Sequence, residues 1–98
     1  MKTVSDDALR QRVQRALVSL GDSADKVAES LRKKRVKGMV LNPIHCPLSN
    51  YLKKRGFAGE ISVFSETAYV RKCRVWLPDA CTNFVSAFDD GSYKDLEL

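Results

Sequence analysis

Apolar residues recur along this chain in two rhythms, and the change from one to the other divides it. Leu9, Val13, Ala16, Leu17 and Leu20 keep the i, i+4, i+7, i+8 spacing of a single helical stripe. They predict an amphipathic helix from Met1 to Leu20 with Arg10, Gln11, Arg12, Gln14 and Arg15 in water. Ser5 is placed to cap it, Asp6 and Asp7 to meet the dipole of its first turn, and Gly21 to close it. Ala24, Val27, Ala28 and Leu31 form a second stripe behind Asp22 or Ser23 as cap, in a helix ended by Gly38. The short connection at Gly21 predicts that the two helices form an antiparallel hairpin.

Met39-Val40-Leu41 is too short to classify by period and reads as a buried extended segment or a small strand. Asn42-Pro43 turns the chain, because the residue before proline is pushed out of the helical region. Pro47 suits the first position of a helix and Gly56 the residue just past its end. Between them lies a short third helix with Leu48, Tyr51 and Leu52 facing inward and Ser49, Asn50, Lys53 and Lys54 outward. Leu52 and Phe57 occupy the two positions that meet when a helix ends in a Schellman motif.

After Gly59 the period becomes extended. Ile61 to Phe64 predicts a strand, Ser65-Glu66 a turn, and Thr67 to Leu77 either one long strand or two broken near Arg71-Lys72. An unbroken strand would turn Tyr69, Arg71, Cys73, Val75 and Leu77 to the core and Val70, Lys72, Arg74 and Trp76 away from it. Leu77-Pro78-Asp79 opens a last helix, in which Cys81, Phe84, Val85 and Phe88 form the stripe and Gly91 marks the end. Asp89 and Asp90 lie at the dipole's negative end, which calls for basic groups to hold them. Tyr93 and Leu96 are expected to tuck back onto the core. The expected fold is a single α+β domain over residues 1–98 in the order α-α-α-β-β-α, with a helical hairpin and two further helices packed on a small antiparallel sheet. Its parts are a helical hairpin (1–38), an α/β core (39–91) and an acidic tail (92–98).

At 44% hydrophobic and 30% charged, the composition is that of an ordinary globular domain. No apolar run approaches the roughly 18 residues needed to span a bilayer, and the N-terminus lacks a signal-peptide h-region. Three irregularly spaced cysteines fit reduced thiols in a cytoplasmic setting. The net charge of +5 is unevenly spread: residues 1–30 balance at zero, residues 31–74 hold eleven basic groups against Glu60 and Glu66, and residues 75–98 hold Lys94 against five acids. The basic middle could attract a polyanion, or the acidic end could fold back onto it.

Candidate chemistry gathers first at His45 and Cys46, where a helix N-terminus could lower a thiol pKa. Adjacent side chains tend to diverge, however, and no oriented base or oxyanion donor is legible. His45, Cys46, Cys73 and Cys81 have zinc-ligand chemistry without any paired ligand spacing. The simpler reading makes the cysteines small buried apolar residues, with no enzymatic activity, metal or cofactor.

Nucleic-acid binding would use Arg32, Lys33, Lys34, Lys53, Lys54, Arg55, Lys72 and Arg74. In a winged-helix variant of the fold, residues 48–55 would read a groove and the 61–77 hairpin would be the wing. The segment from Gly38 to Cys46 is too long for the tight turn of a helix-turn-helix. Arg32 to Lys37 also serves as a dipole-complementing helix end with no partner at all. Tyr69 and Trp76 could stack on bases, although a lone Trp in a small domain is commonly core.

Cys46-Pro47-Leu48 followed by Tyr51-Leu52, and the ending Leu77-Pro78, Phe84-Val85, Phe88-Asp89, Gly91, Tyr93 and Leu96, resemble small uncharacterised proteins of actinobacteria and their phages. The resemblance covers about the last two thirds of the chain and implies a bacterial cytoplasmic or phage setting, with no activity to carry over. The reading that follows is a small non-enzymatic binding or regulatory protein whose partner is a protein, a second copy of the chain included, acting through the helical hairpin or an exposed sheet edge. Nucleic acid, bound through the basic region 31–74, is the alternative.

Overall fold

The computed structural model describes residues 2–98, with side chains from Asp7 onward; Met1 lies outside the described residues. Four helices and a three-stranded sheet form an α+β fold: α1 (Lys2–Val18), α2 (Ala24–Lys33), α3 (Pro47–Lys54), β1 (Ile61–Val63), β2 (Thr67–Val70), β3 (Cys73–Trp76) and α4 (Asp79–Asp89), followed by a short 3₁₀ turn at Lys94–Leu96. All five residues of the α1 stripe and Val27, Ala28 and Leu31 of α2 are buried. α1 lies mainly on β3 and α2 mainly on α4, while α3 lies on β1. Ser5 sits inside α1 rather than capping it. Ser23 caps α2 by accepting the N–H of Lys26 at 3.2 Å.

The helix ends follow the glycine signals with one exception. At α3, Gly56 has φ 98°, and the N–H of Phe57 reaches the carbonyl of Leu52 at 3.2 Å, as in a Schellman ending. At α2 the left-handed residue is Arg35 (φ 58°), not Gly38, and Val36 N–H bonds back to Leu31 at 3.0 Å. Gly38 is needed for a different reason. It pairs with Glu97 in a parallel bridge, and a β-carbon on it would fall against the backbone of His45, Cys46 and Pro47.

The sheet is an antiparallel meander, β1-β2-β3. Residues 67–77 form two strands because Arg71 (φ 51°) and Lys72 (φ 70°) both enter the left-handed region, as a two-residue type I′ hairpin requires. The break falls at Arg71-Lys72, the second of the two readings the sequence allowed, although Asn or Gly are the usual occupants of such a turn. The pairing of Val70 with Cys73 also resets the faces. Ile61, Val63, Ala68, Val70, Cys73 and Val75 enter the core, and Tyr69 moves to the outer face with Arg74 and Trp76. Along the outer edge of β3, Arg10 Nε donates to the Arg74 carbonyl at 3.1 Å and Gln14 Nε2 to the Trp76 carbonyl at 3.3 Å, so α1 covers that edge.

The acidic tail folds back. Arg32 Nε bonds Asp95 at 2.6 Å, and the Arg32 guanidinium also lies over the Tyr93 ring, which stacks on Phe84 at 5.3 Å between centroids. Tyr93 hydroxyl donates to Asp25 at 2.6 Å. Burial, then the adjacent Asp25, push the Tyr93 phenol up to about 12. A phenol that ionises near 10 when unfolded and near 12 when folded favours the fold below pH 10 and loses that contribution as pH rises through 12. Thermal midpoints measured from pH 9 upward should therefore fall across this window, and Tyr93→Phe should flatten the fall. Gly38→Ala should cost about 2 kcal/mol or more, read as a drop of on the order of 10 °C in Tm.

Candidate functional site

The segment between α2 and α3, residues 34–46, has almost no regular structure, so its carbonyls need partners from elsewhere. α3 supplies them with side chains expected to face water. Ser49, fully buried, donates to the Pro43 carbonyl. Asn50 Nδ2 donates to Lys37 at 2.8 Å and to His45 at 3.1 Å, Lys53 Nζ to Ile44 at 2.9 Å, and Lys54 Nζ to Lys34 at 2.7 Å. The segment also braces itself: Met39 N–H reaches the His45 carbonyl at 2.8 Å, and Asn42 Oδ1 accepts the N–H groups of Ile44 and His45 at 3.1 and 3.0 Å. Val63 N–H bonds the Pro43 carbonyl at 2.9 Å, which ties the segment to β1.

A loop this heavily hydrogen-bonded displays apolar side chains. Leu41 is 77% exposed, Ile44 54% and Met39 45%, so Met39-Val40-Leu41 is neither a strand nor buried. Leu41 also has φ 56°, a conformation sterically costly for a leucine. Its N–H is held at 3.0 Å by Asp89 Oδ1, so the carboxylate at the end of α4 is met by a backbone donor and not by a basic side chain. Leu41, Pro43, Val63, Phe64, Phe84 and Phe88 give a mostly apolar lining to a groove of about 170 Å³, to which Asn42, Ser65 and Asp89 add polar groups and Cys46 a thiol. Small-molecule sites usually enclose roughly 300–1,000 Å³, so this notch has the size of one or two side chains.

His45 and Cys46 diverge. His45 is exposed, whereas Cys46 is buried and caps α3, its Sγ accepting the Ser49 N–H at 3.4 Å. Burial raises the Cys46 thiol pKa, outweighing the hydrogen bonds from Ser49 and Leu48 that lower it, and burial pushes Cys81 up to about 12. These thiols stay protonated at neutral pH. Cys73 is buried as well, and among the described residues no three His, Cys, Asp or Glu side chains gather as metal ligands.

The basic candidates divide. Arg32 is engaged by Asp95 and Glu29, and hydrogen bonding to Asp95, above all, raises its pKa further while lowering that of Asp95. Lys33 and Lys34 are exposed, and Lys54 meets Lys34 beside a shallow hollow also lined by Arg35 and Lys37. Arg55 donates to the Tyr51 hydroxyl at 2.9 Å. Lys72 and Arg74 belong to the β2–β3 hairpin, where the Arg74 guanidinium lies 5.2 Å from the Trp76 ring centroid. Leu41 and Phe64 were not singled out as site residues from sequence, and Asp89 was marked only as a carboxylate at an unfavourable helix end. The only available signal was an apolar triplet between Gly38 and Asn42-Pro43, which resembles a buried strand.

Replacing Asn50 with Ala removes the donor shared by the Lys37 and His45 carbonyls and should cost about 0.5–1.5 kcal/mol. Amide hydrogen exchange should show lost protection at Met39 and Leu41 before α1 is affected. No helix among the described residues is long and apolar enough to cross a membrane. No family model matches the chain, and no curated protein and no solved structure matches it.

Proposed function

We propose that this chain is a small binding protein whose partner is another protein, engaged through the loop of residues 39–45 and the apolar notch beneath it. The observation that carries this reading is Leu41, a leucine exposed to 77% and held in a left-handed conformation by Asp89. Folding alone favours neither feature. Exposure forfeits burial, and the backbone conformation adds a cost that Asn or Gly would avoid. Such outliers persist where the surrounding structure over-determines them, commonly at binding sites. Leu41 and Phe64 line a side-chain-sized notch, and Ile44 and Phe64 line a neighbouring hollow, so exposed apolar side chains flank a small pocket in the form of a hot spot. The buried thiols suit a reducing, cytoplasmic setting.

Leu41→Asn separates binding from stability. The variant should fold with a Tm equal to or above that of the parent, because asparagine tolerates the left-handed region and the lost side chain is mostly in water. Nuclease-resistant capture of a protein partner from host lysate should fall about tenfold or more. Capture unchanged by Leu41→Asn, and by Phe64→Ser in the lining of the same notch, would remove this surface from the interface.

A further inference from the structure

The outer face of the sheet carries a second surface of different chemistry. Because β2 and β3 join through a two-residue turn, outward side chains align in two cross-strand rows, Ser62–Tyr69–Arg74 and Phe64–Thr67–Trp76. Trp76 is 55% exposed, with the Arg74 guanidinium over its ring at 5.2 Å, and Tyr69 meets Phe64 edge-to-face at 5.9 Å. Neither row contains an acidic side chain. At the hairpin tip the strained residues Arg71 and Lys72 add two exposed cations. Arg10 is not counted with them, since its guanidinium meets Asp7 at 3.1 Å.

We infer that this face binds single-stranded nucleic acid, with bases stacking on Trp76 and Tyr69 and phosphates following Arg74, Arg71 and Lys72. The match is one of both charge and shape. An exposed indole on the open face of the sheet offers a π-surface that every base can use, and flanking guanidinium and ammonium groups meet the backbone whatever the sequence. A protein partner of acidic character would satisfy the cations but would not need the aromatic rows. A duplex would hide its base faces from them. This surface shares Phe64 with the Leu41 notch but neither Leu41 nor Trp76, so Leu41→Asn and Trp76→Ala test the two separately.

Trp76 is the only tryptophan in the chain, so its emission reports on this face directly. Titration with an oligothymidylate at low salt should quench it in a saturable way, with affinity falling steeply as salt rises. Measured by anisotropy of the labelled oligomer, Trp76→Ala should weaken binding about tenfold or more, and Trp76→Phe should recover most of the loss. Reversing both Arg71 and Lys72 to Glu should weaken binding to all base compositions alike and flatten the salt slope by about one to two. Circular dichroism identifies any variant that fails to fold, and if Trp76→Ala does so the charge reversal at Arg71 and Lys72 carries the test. Unquenched emission at low salt, equal quenching by polyglutamate, tighter binding of duplex than of single strand, or full affinity in Trp76→Ala would each overturn the assignment.

Discussion

The structure depends on how the carbonyls of residues 34–46 are satisfied. A long irregular connection inside so small a domain leaves polar backbone groups that neither a helix nor a sheet can pair. α3 meets this demand with one helix face, through Ser49, Asn50, Lys53 and Lys54, while its other face places Leu48, Tyr51 and Leu52 in the core. The tyrosine extends the same logic inward. Its hydroxyl donates to the Ala16 carbonyl at 2.9 Å and accepts from Arg55, so the buried polar tip joins α3 to the end of α1. One short helix therefore holds both the core and the loop laid across it.

That arrangement explains what could be read from residues and what could not. Helical stripes, the Ser23 cap, Pro47 at the start of α3 and the Gly56 ending follow from local spacing, and local spacing was enough to find them. The class of fold followed from the same signals. The loop was hidden because its defining contacts join residues far apart in the chain, Leu41 with Asp89 and Gly38 with Glu97. The contacts of the basic residues were hidden for a related reason. Lys53 and Lys54 looked like a free cationic end, yet each ammonium is used on a main-chain carbonyl, and Arg32 is occupied by the tail.

Two surfaces remain after packing has used what it needs. The loop side is apolar, with its display set by Asp89 and α3; the sheet side is aromatic and cationic, with its display set by the pairing of β2 and β3. Phe64 belongs to both, lining the notch and resting its edge on Tyr69. The thiols that first drew attention lie beneath these surfaces, where burial keeps them protonated.

The two-residue turn at Arg71-Lys72 makes the outer face a matter of parity. Substitutions there alter charge and strain but leave every strand residue on its own side. One inserted residue, if the turn stayed at two residues and the pairing slipped by one, would exchange the sides of β3, delivering Arg74 and Trp76 to the core and Cys73 and Val75 to water. The surface is thus open to gradual change in its side chains and closed to a one-residue slip between two strands.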